Sequence, residues 1–564
     1  MSRLYIADHG RTQVSGLKFY IMTFILPRSG SIPRRILYLL IALLTVPVRI
    51  SGAQDGIHYR ELIDVQKYTI HIEVNDTTDA IRGIGRLDVV LNMQTDTIAL
   101  DLASINNENK GMVVDSLLHN GSPVNFLHRD NRLRLPSGTA DTGDTLRIAV
   151  YYSGIPADGL IISQNMYGQR TFFADNWPNR AHNWFPSIDH PSHRATVDFI
   201  ITAPSHYQVI ATGLLHKKVN FPGKGTTHYW SSEVPVPTKT MVFGAAAFAV
   251  EYLDDINDIP YSNWVYARNM KEWFGALTIT PGILEFFSEM IAPYPFEKIA
   301  NVQSTTRYGG MENAGNIFYH ERALAGNRSL KYTIVHEMAH QWFGNSLSES
   351  DWPHLWLSEG IATWLTDWYA EQNYGTEALT ERLVSHRERI IEFSKTTLAP
   401  VVDYHFQDPT ELLNPNTYQK GAWILHMLRR KIGEEAFVGG LVEFYDRYKL
   451  SHASSDDFMK IMESVSGTEL DQYFDDWLYS AGHPVLSMNT DYREGRIYIE
   501  LVQTQPHKIA FTFPLDIRFV FDDGSHQDET FSIMFRRHEF ILDLPSEPVG
   551  VILDPKTRLL FEEN

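Results

Sequence analysis

Two histidines four residues apart, followed by a glutamate, have the spacing of a metal site. They are His336, His340 and Glu359, with eighteen residues between His340 and Glu359. Because the apolar spacing of residues 334–343 indicates a helix, a step of four residues turns the chain by roughly 400° and returns both imidazoles to one face. Glu359 opens a second helical stretch, and three protein ligands leave a fourth zinc position open for water. The sequence therefore predicts a catalytic site for one zinc ion per chain.

A fourth residue of this segment could supply acid–base chemistry. Glu337 lies about 100° around the helix from His336, beside the ion, and is not needed as a ligand. It is therefore free to act as a general base. The alternative is a helix whose two histidines are hydrogen-bonded core residues and whose glutamates are solvated. In that case the ligands, the base and the helical setting would all coincide by chance.

A glycine-rich segment at residues 308–316, YGGMENAGN, is the second candidate for chemistry. Gly309 and Gly310 allow the backbone to approach a ligand closely, and Glu312 just behind them could meet a cation in the same cleft. In isolation such a segment is more often a glycine turn beside a surface acid. Its meaning therefore depends on the elements around it.

The bulk composition limits the classes of protein to which the chain can belong. A chain of 564 residues is too long for one core and indicates about three domains. Its net charge of -19, with no long basic run, argues against a nucleic-acid surface. Because the sequence contains no cysteine, it can form no disulfide, and any zinc ligands must be His or carboxylate side chains.

Hydrophobic spacing changes twice along the chain and divides it into three parts. Residues 56–250 consist of short alternating strands separated by turns, which predicts an N-terminal β domain. Residues 251–484 show helical spacing and contain the metal motif, so they form the predicted catalytic domain. Alternation returns in residues 485–564, which predicts a small C-terminal β-sandwich. The predicted fold class is α+β, with several domains.

Residues 1–53 have the features of an export signal. They carry seven Lys or Arg against one acid, and an apolar run at residues 36–48 ends at Ser51-Gly52-Ala53, a small-residue cleavage pattern. That run rises only about 20 Å as a helix, short of the roughly 30 Å hydrocarbon core. We predict a cleaved signal peptide and leader, a periplasmic or extracellular protein, and no membrane span after cleavage. The alternative is a membrane tether through an uncleaved N-terminal segment.

Taken together, the motifs resemble those of the aminopeptidase N and leukotriene hydrolase family of zinc metallopeptidases. GGMEN at residues 309–313 is similar to the exopeptidase signature GAMEN, and its order and spacing with HEMAH and Glu359 match the gluzincin pattern of that family. Further matches are HQWFGN at 340–345, WLSEG at 356–360, YQKG at 418–421, Trp477, and GHP at 482–484. The resemblance implies an N-terminal β-saddle domain, a thermolysin-like helical catalytic domain and a small C-terminal β-sandwich.

The resemblance also implies an aminopeptidase, a hydrolase that removes the first residue of peptides with a free N-terminus. In this interpretation Glu337 is the general base and acid, and Tyr418 donates a hydrogen bond to the tetrahedral oxyanion. Glu312 pairs with the α-ammonium of the substrate, and the glycine backbone binds the peptide in extended form. The predicted substrate-binding residues are Gly309, Gly310, Met311, Glu312, Asn313 and Asp175.

One segment departs from the family pattern. Residues 185–191, FPSIDHP, resemble the FPCFDEP segment of the family, and counting back in register puts Trp177 where many members have a second amine-binding residue. Asp175 and Asn176 are the nearby polar candidates for that role. For this reason Asp175 is included among the predicted substrate-binding residues.

Three alternatives share these motifs. A thermolysin-type endopeptidase uses the same zinc chemistry without an amine anchor, and Glu312 within the glycine motif disfavours it. Hydrolysis of a lipid epoxide on the same scaffold is allowed by the resemblance, although no residue requires it. A catalytically dead secreted binding protein would hold no zinc, whereas all the ligands and the base are present here. The sequence specifies no oligomeric state.

Overall fold

The computed structural model describes residues 59–325, 329–506 and 510–564. The predicted signal peptide and leader, residues 1–53, therefore lie outside the described residues. Within the described part of the chain, no helix combines the length and apolarity that crossing a membrane requires.

Alternating side chains form the N-terminal β region. In the strand Ile63–Glu73, Val65, Ile70 and Ile72 are buried while Gln66 is exposed. This strand pairs parallel with Arg194–Ala203 and antiparallel with Ile81–Leu91. Eight described strands form the largest sheet, in the order Leu214–Phe221, Gly225–Pro237, Arg194–Ala203, Ile63–Glu73, Ile81–Leu91, Thr145–Ile155, Gly111–His119 and Ser122–Pro123.

Two smaller sheets complete this region and position the segment that follows residue 174. One consists of Gln208–Ala211, Phe243–Ala246, Arg170–Ala174 and Leu160–Gln164, and the other of Thr97–Asp101, Arg132–Pro136 and Leu127–Arg129. Trp184 is fully buried, and its ring packs against those of Phe199 and Phe243, with 6.1 and 5.5 Å between the ring centres. The segment that carries Asp175 and Trp177 is therefore held against a rigid aromatic core.

A five-stranded sheet carries the glycine-rich segment. Its strands, in order, are Phe248–Tyr252, Tyr261–Tyr266, Ile299–Ser304, Asn316–His320 and Gly310–Met311. Gly310–Met311 lies at the edge, pairs antiparallel with Asn316–His320 and contacts the helix Lys331–Ala339. The edge of this sheet therefore meets the helix that contains the histidine motif.

Nine α-helices lie between residues 270 and 474 in the described part of the chain. They are α1 (Met270–Leu277), α2 (Thr280–Met290), α3 (Lys331–Ala339), α4 (Trp356–Tyr374), α5 (Thr376–Ser394), α6 (Gly421–Ile432), α7 (Glu434–Tyr448), α8 (Ser455–Ser466) and α9 (Asp471–Phe474). Helix α4 makes its main helix contacts with three of them, α3, α5 and α6. Residues 356–370 of α4 are buried on every side. A wide π-type turn, Asn416–Lys420, precedes α6, and another, Asp475–Tyr479, follows α9. A short parallel pair, Leu347–Glu349 and Ser451–Ala453, joins the start of α8 to the loop before α4.

The crossing of α4 and α6 depends on two glycines. A Cβ atom on Gly421 would lie 3.0 Å from the Cα atom of Gly360, closer than packed atoms normally approach. We expect Gly421→Val to lower the free energy of unfolding by about 1–3 kcal/mol and to reduce the thermal midpoint measured by calorimetry.

The matched control is Gly439→Ala on the exposed face of α7. Its Cβ would meet only Val465, at an ordinary 3.9 Å. Because alanine favours a helix interior over glycine, this variant is expected to be neutral or more stable by about 0.5–1 kcal/mol. A Gly421→Val protein as stable as the wild type would contradict the proposed glycine contact.

The C-terminal strands form two packed sheets. One has the order Arg537–Asp543, Arg496–Gln503, Val485–Arg493 and Glu562–Glu563, and the other His526–Ile533, Phe513–Val520 and Gly550–Leu553. The ring of Phe531 on one sheet lies 4.5 Å from that of Phe540 on the other, as in a sandwich. The same core continues into the helical region, where Trp477 contacts Phe511. The predicted α+β architecture is confirmed, whereas the domain boundaries stay predictions.

Candidate active site

The three predicted metal ligands meet at one point. His340 Nε2 lies 3.1 Å from His336 Nε2 and 3.1 Å from Glu359 Oε2. His336 Nε2 lies 3.4 Å from the same carboxylate oxygen. The ligand atoms of these three side chains all lie within 4.8 Å of one another, which is close enough for them to share one metal ion. Two nitrogens and one oxygen at this spacing fit a zinc ion with an open fourth position.

Helix α3 supplies the two histidines and ends sooner than predicted. It ends at Ala339 instead of continuing to residue 343, but the N–H of His340 still donates to the His336 carbonyl at 3.2 Å. The four-residue geometry therefore persists at the end of the helix. The chain then turns at Gly344, where φ is +127° and a Cβ would lie 2.8 Å from His340 Nδ1. Only glycine fits this turn.

The backbone orients the imidazole of His340. Its Nδ1 lies 3.0 Å from the carbonyl oxygen of Phe343. Because a carbonyl can only accept a hydrogen bond, Nδ1 carries a proton, and Nε2 is the nitrogen that would give its lone pair to a bound metal. Ser358 Oγ lies 3.3 Å from the same Nδ1 and supports this orientation.

Three carboxylates lie close to His340, and their negative charge favours a cation at this position. Burial opposes a charge on His340, but the carboxylates outweigh burial and raise its pKa to about 10. These carboxylates are Glu359, Glu312 and Glu337. Although burial opposes ionisation of Glu359, His340 and His336 hold its pKa below the ordinary range. A divalent cation among these groups would balance their charge, so the donor set fits zinc.

Glu337 lies on α3 and faces the edge strand. A Cβ on Gly310 would meet Glu337 Oε1 at 2.1 Å, so the missing side chain of Gly310 makes room for this carboxylate. Burial raises the pKa of Glu337 well above its ordinary value. His340 opposes this rise, and Glu312 and Glu359 add to it. A carboxylate with a raised pKa is a stronger base and is suited to accept and return a proton.

Tyr418 places a hydroxyl at the same site. It lies in the turn Asn416–Lys420, and its ring stacks on that of His336 at 6.1 Å, with 22° between the planes. Burial raises the pKa of Tyr418 well above its ordinary value, and the nearby carboxylates add to the rise. The hydroxyl therefore keeps its proton and remains a hydrogen-bond donor.

A cavity of about 190 Å³ lies against the metal ligands. Its walls are formed by His336, Glu337, His340, Glu359, Tyr418, Tyr308, Gly309, Gly310, Met311, Glu312, Trp177 and Leu413. Four of the predicted substrate-binding residues, at positions 309–312, therefore line it. Leu413 was not predicted, because it belongs to a loop in which no local pattern marks it.

Glu312 is fixed through its backbone, while one oxygen of its carboxylate has no partner among the described residues. Gln341 Nε2 donates to the Glu312 carbonyl oxygen at 2.7 Å, and Asn345 Nδ2 donates to the same atom. The residue is 4% exposed, and its Oε1 has no hydrogen-bond partner in the described part of the chain. A buried carboxylate with a free oxygen is prepared for a cationic ligand. The clamping role of Gln341 and Asn345 was missed, although two polar residues in the buried segment after His340 were a signal for it.

The other two predicted substrate-binding residues, Asp175 and Asn313, do not line this cavity. Asp175 Oδ1 accepts from Arg180 at 2.6 Å, and its Oδ2 accepts from the backbone N–H of Arg307 at 3.2 Å. Both carboxylate oxygens are therefore taken. Asn176 is fully buried and donates to two backbone carbonyls. This geometry gives no support to Asp175 as a substrate ligand, and that role stays a prediction.

A larger cavity of about 510 Å³ adjoins the same site. His336, Glu337 and Tyr418 line both cavities, so the metal position lies where the two meet. The rest of the larger cavity is polar, with residues of α5 such as Arg382 in its wall. Arg382 is held in place by the buried Asp367 at 2.6 Å.

Two family models match the chain, one over the N-terminal β region and one over the helical region that follows it. The Peptidase M1 N-terminal domain model matches residues 64–239, and the Peptidase family M1 domain model matches residues 275–477. The first covers most of the N-terminal β region. The second covers the metal ligands, the glycine segment and Tyr418.

Relatives with similar sequences are named as aminopeptidases. Glutamyl aminopeptidase of Bitis rhinoceros is 27% identical over 338 residues, which are 56% of this chain and 35% of the relative. Leucyl aminopeptidase of Saccharolobus solfataricus is 24% identical over 456 residues, which are 76% of this chain and 55% of the relative. The chain thus spans about a third to a half of the length of these relatives.

Solved structures share the fold. The M1 zinc metallopeptidase of Deinococcus radiodurans aligns with a TM-score of 0.64 at 24% identity, over 75% of this chain and 94% of that one. Legionella pneumophila aminopeptidase A, solved with aspartic acid, aligns with a TM-score of 0.76 at 16% identity, over 89% of this chain and 60% of that one.

The resemblance first drawn from short motifs is confirmed over most of the chain. The N-terminal and catalytic family models match in order, and the convergent ligands fit the zinc ion that the structural relatives are named for. The chain therefore belongs to peptidase family M1, the aminopeptidase N family of zinc metallopeptidases.

Proposed function

We propose that this protein is a zinc-dependent aminopeptidase that hydrolyses the first peptide bond of peptides with a free N-terminus. The observation that carries the proposal is the Glu312 carboxylate, whose Oε1 has no partner among the described residues, in the same cavity as the three metal ligands. A carboxylate in this place pairs with the α-ammonium of a substrate by charge-assisted hydrogen bonds. That contact holds the first peptide bond at the metal position, which defines an exopeptidase.

The hydrolytic chemistry is divided between the metal and Glu337. His336, His340 and Glu359 would hold the zinc ion, which would supply a Lewis acid for the scissile carbonyl and for water. Glu337 takes a proton from the attacking water and delivers it to the nitrogen of the leaving peptide. Its raised pKa suits both steps, because the acid form must persist until the amine departs.

Two further groups position the substrate and its transition state. The protonated hydroxyl of Tyr418 donates a hydrogen bond to the oxyanion that develops on the scissile carbonyl. The backbone of the edge strand Gly310–Met311 pairs with an extended peptide in the same cleft. The reacting bond is thereby held between a general base and an oxyanion donor.

The two cavities differ in size in a way that favours an exopeptidase over an endopeptidase. The cavity that contains Glu312 has about 190 Å³, and the adjoining one about 510 Å³. The first residue occupies the smaller cavity and the leaving peptide the larger one, whereas an endopeptidase needs room for several residues on both sides. The polar lining of the larger cavity, which includes Thr363 and Glu381, disfavours a lipid epoxide. The complete set of ligands and base disfavours a dead binding protein.

A matched pair of substrates tests the proposal. We expect the zinc-loaded protein to hydrolyse leucyl p-nitroanilide about 10- to 100-fold faster than its N-acetyl form. Acetylation removes the charged partner of Glu312. A chelator abolishes both rates, and added zinc restores them. The Glu312→Gln variant serves as the control and reduces the difference between the two substrates. Equal rates on both substrates in the wild type would contradict the amine anchor.

The names of the relatives support aminopeptidase activity. They do not agree on the first residue of the substrate, so experiment has to identify the residue that this protein prefers. One relative is named for a glutamyl residue and another for a leucyl residue. A variant of the Deinococcus radiodurans peptidase has been solved with a Tyr-Ser-Ala substrate. A panel of aminoacyl amides, assayed with and without a chelator, assigns the preferred first residue of this protein.

We also propose that the protein is exported. The basic residues, the apolar run at 36–48 and the small residues at 51–53 support a cleavable signal. After fractionation of cells that express the full chain, we expect a mature protein that starts near residue 54 in the periplasm or medium. An intact N-terminus in the membrane fraction would favour the tether instead.

A further inference from the structure

Trp177 forms one wall of the cavity that contains Glu312. Its side chain is 2% exposed. Its ring packs edge to face on Tyr308 at 6.4 Å and on Trp352 at 6.3 Å. These two contacts fix the indole, so that its position in the wall does not depend on a ligand.

The polar residues next to Trp177 are committed elsewhere. Asp175 gives both carboxylate oxygens to Arg180 and to the backbone of residue 307. Asn176 accepts from the indole N–H of Trp184 at 2.8 Å and donates to two carbonyls. Neither Asp175 nor Asn176 therefore offers a second acceptor to an ammonium group in the cavity, and the indole N–H of Trp177, which has no hydrogen-bond partner among the described residues, is a donor and cannot accept from one.

The cavity nevertheless has to stabilise a buried ammonium group. Of the acids in its wall, Glu359 is a metal ligand and Glu337 is the base, which leaves Glu312 as the ammonium partner. An aromatic ring face attracts a cation, most strongly when the ring is an indole and water is excluded. Trp177 and Glu312 are both buried side chains in the wall of this small cavity, and salt screens an attraction between buried groups less than one at the surface.

We propose that the α-ammonium of the substrate is held between the Glu312 carboxylate and the ring face of Trp177. Trp177 is then a substrate-binding residue that replaces the second polar anchor by a cation–π contact. This inference rests on the proposed aminopeptidase function and goes further, because it assigns the recognition of the amine to one acid and one indole. It also predicts that an uncharged isostere of the amine loses binding through Trp177 as well as through Glu312.

Two small ligands that differ only in the amino group test the proposal. They are leucinamide and 4-methylpentanamide, and their dissociation constants are measured by calorimetry on the zinc-loaded full chain in a Glu337→Gln background, which keeps the metal ligands but hydrolyses leucinamide too slowly to disturb the measurement. The pH is held near about 6.5, where an α-amino group is charged. We expect Trp177→Leu to reduce the preference for leucinamide by about 2- to 30-fold, with little change in the affinity for 4-methylpentanamide.

Two further variants separate the ring face from the shape of the cavity. Trp177→Phe keeps an aromatic ring and a buried apolar side chain, so it retains part of the preference and serves as the measurement if the Leu variant does not fold. Leu413 is an apolar residue of the cavity wall that has no aromatic ring, so Leu413→Ala changes the shape of the cavity and leaves the indole in place. This variant is expected to weaken both ligands equally.

The outcomes distinguish this proposal from the function on which it rests. If Trp177→Leu weakens both ligands by the same factor, Trp177 is only an apolar wall and the cation–π assignment is overturned. If the wild type does not prefer leucinamide at all, the Glu312 anchor and the aminopeptidase proposal fail, whatever the variants show. A preference that falls in Trp177→Leu and persists in Leu413→Ala supports the assignment.

Discussion

Glu337→Gln is expected to lower kcat by about 10²- to 10⁴-fold while one zinc ion stays bound per chain. Glutamine has nearly the shape of glutamate but cannot take a proton from water. The ligands His336, His340 and Glu359 are unchanged, and their convergence does not depend on the Glu337 side chain. Turnover of leucyl p-nitroanilide and metal analysis of the dialysed protein, made on the same sample, measure the two effects.

The matched control for this variant is Glu388→Gln on α5. Glu388 is exposed and lies outside the walls of both cavities. The same chemical change there is expected to leave kcat at the wild-type level. A Glu337→Gln protein with a full complement of zinc and wild-type turnover would remove Glu337 from the mechanism.

The metal site could be predicted because its spacing is local. His336 and His340 are brought together by one helical turn, a geometry that holds even though α3 ends at Ala339. Glu359 comes from another helix, but it begins a buried segment whose apolar residues mark where α4 packs. Local periodicity together with one packed helix was therefore sufficient to place all three ligands.

Whether a given carboxylate is available to bind a ligand could not be predicted from the sequence. It depends on hydrogen-bond and ion-pair partners that are distant in the chain. Asp175 and Glu312 both lie beside aromatic or glycine residues in the sequence. In the fold, Asp175 pairs with Arg180 and accepts a hydrogen bond from the backbone of Arg307, which is 132 residues away. Glu312 instead has its backbone clamped by Gln341, and its Oε1 has no partner among the described residues. Whether a carboxylate oxygen is left unpaired is therefore decided only in the tertiary structure.

The same limit applies to the strands next to the site. The helical region was predicted without the five-stranded sheet, whose strands Tyr261–Tyr266 and Ile299–Ser304 are buried at every residue. A strand covered on both faces has no alternation of polar and apolar residues, so its period cannot be recognised. The glycine segment was recognised by its composition, but its place on the edge of a sheet was not.

Tyr418→Phe is expected to lower kcat by about 10²- to 10³-fold with little change in KM, because it removes one oxyanion donor. The ring of Tyr418 is held by stacking on His336, 6.1 Å away, and this contact does not involve the hydroxyl. Phenylalanine should therefore keep the ring in place and remove only the hydrogen bond. Steady-state kinetics on leucyl p-nitroanilide separate kcat from KM.

A transition-state analogue distinguishes this role from simple packing. A phosphinic peptide has a tetrahedral centre that resembles the oxyanion, so Tyr418→Phe should weaken its binding by about the same factor as kcat falls. Leucinamide, which has no tetrahedral centre, should bind with unchanged affinity when it is measured in a Glu337→Gln background that does not turn it over. The control is Tyr404→Phe, a loss of the same hydroxyl from a side chain that is 62% exposed, and it should alter neither quantity. If Tyr418→Phe weakens both ligands equally, the tyrosine shapes the cavity and the oxyanion has another donor.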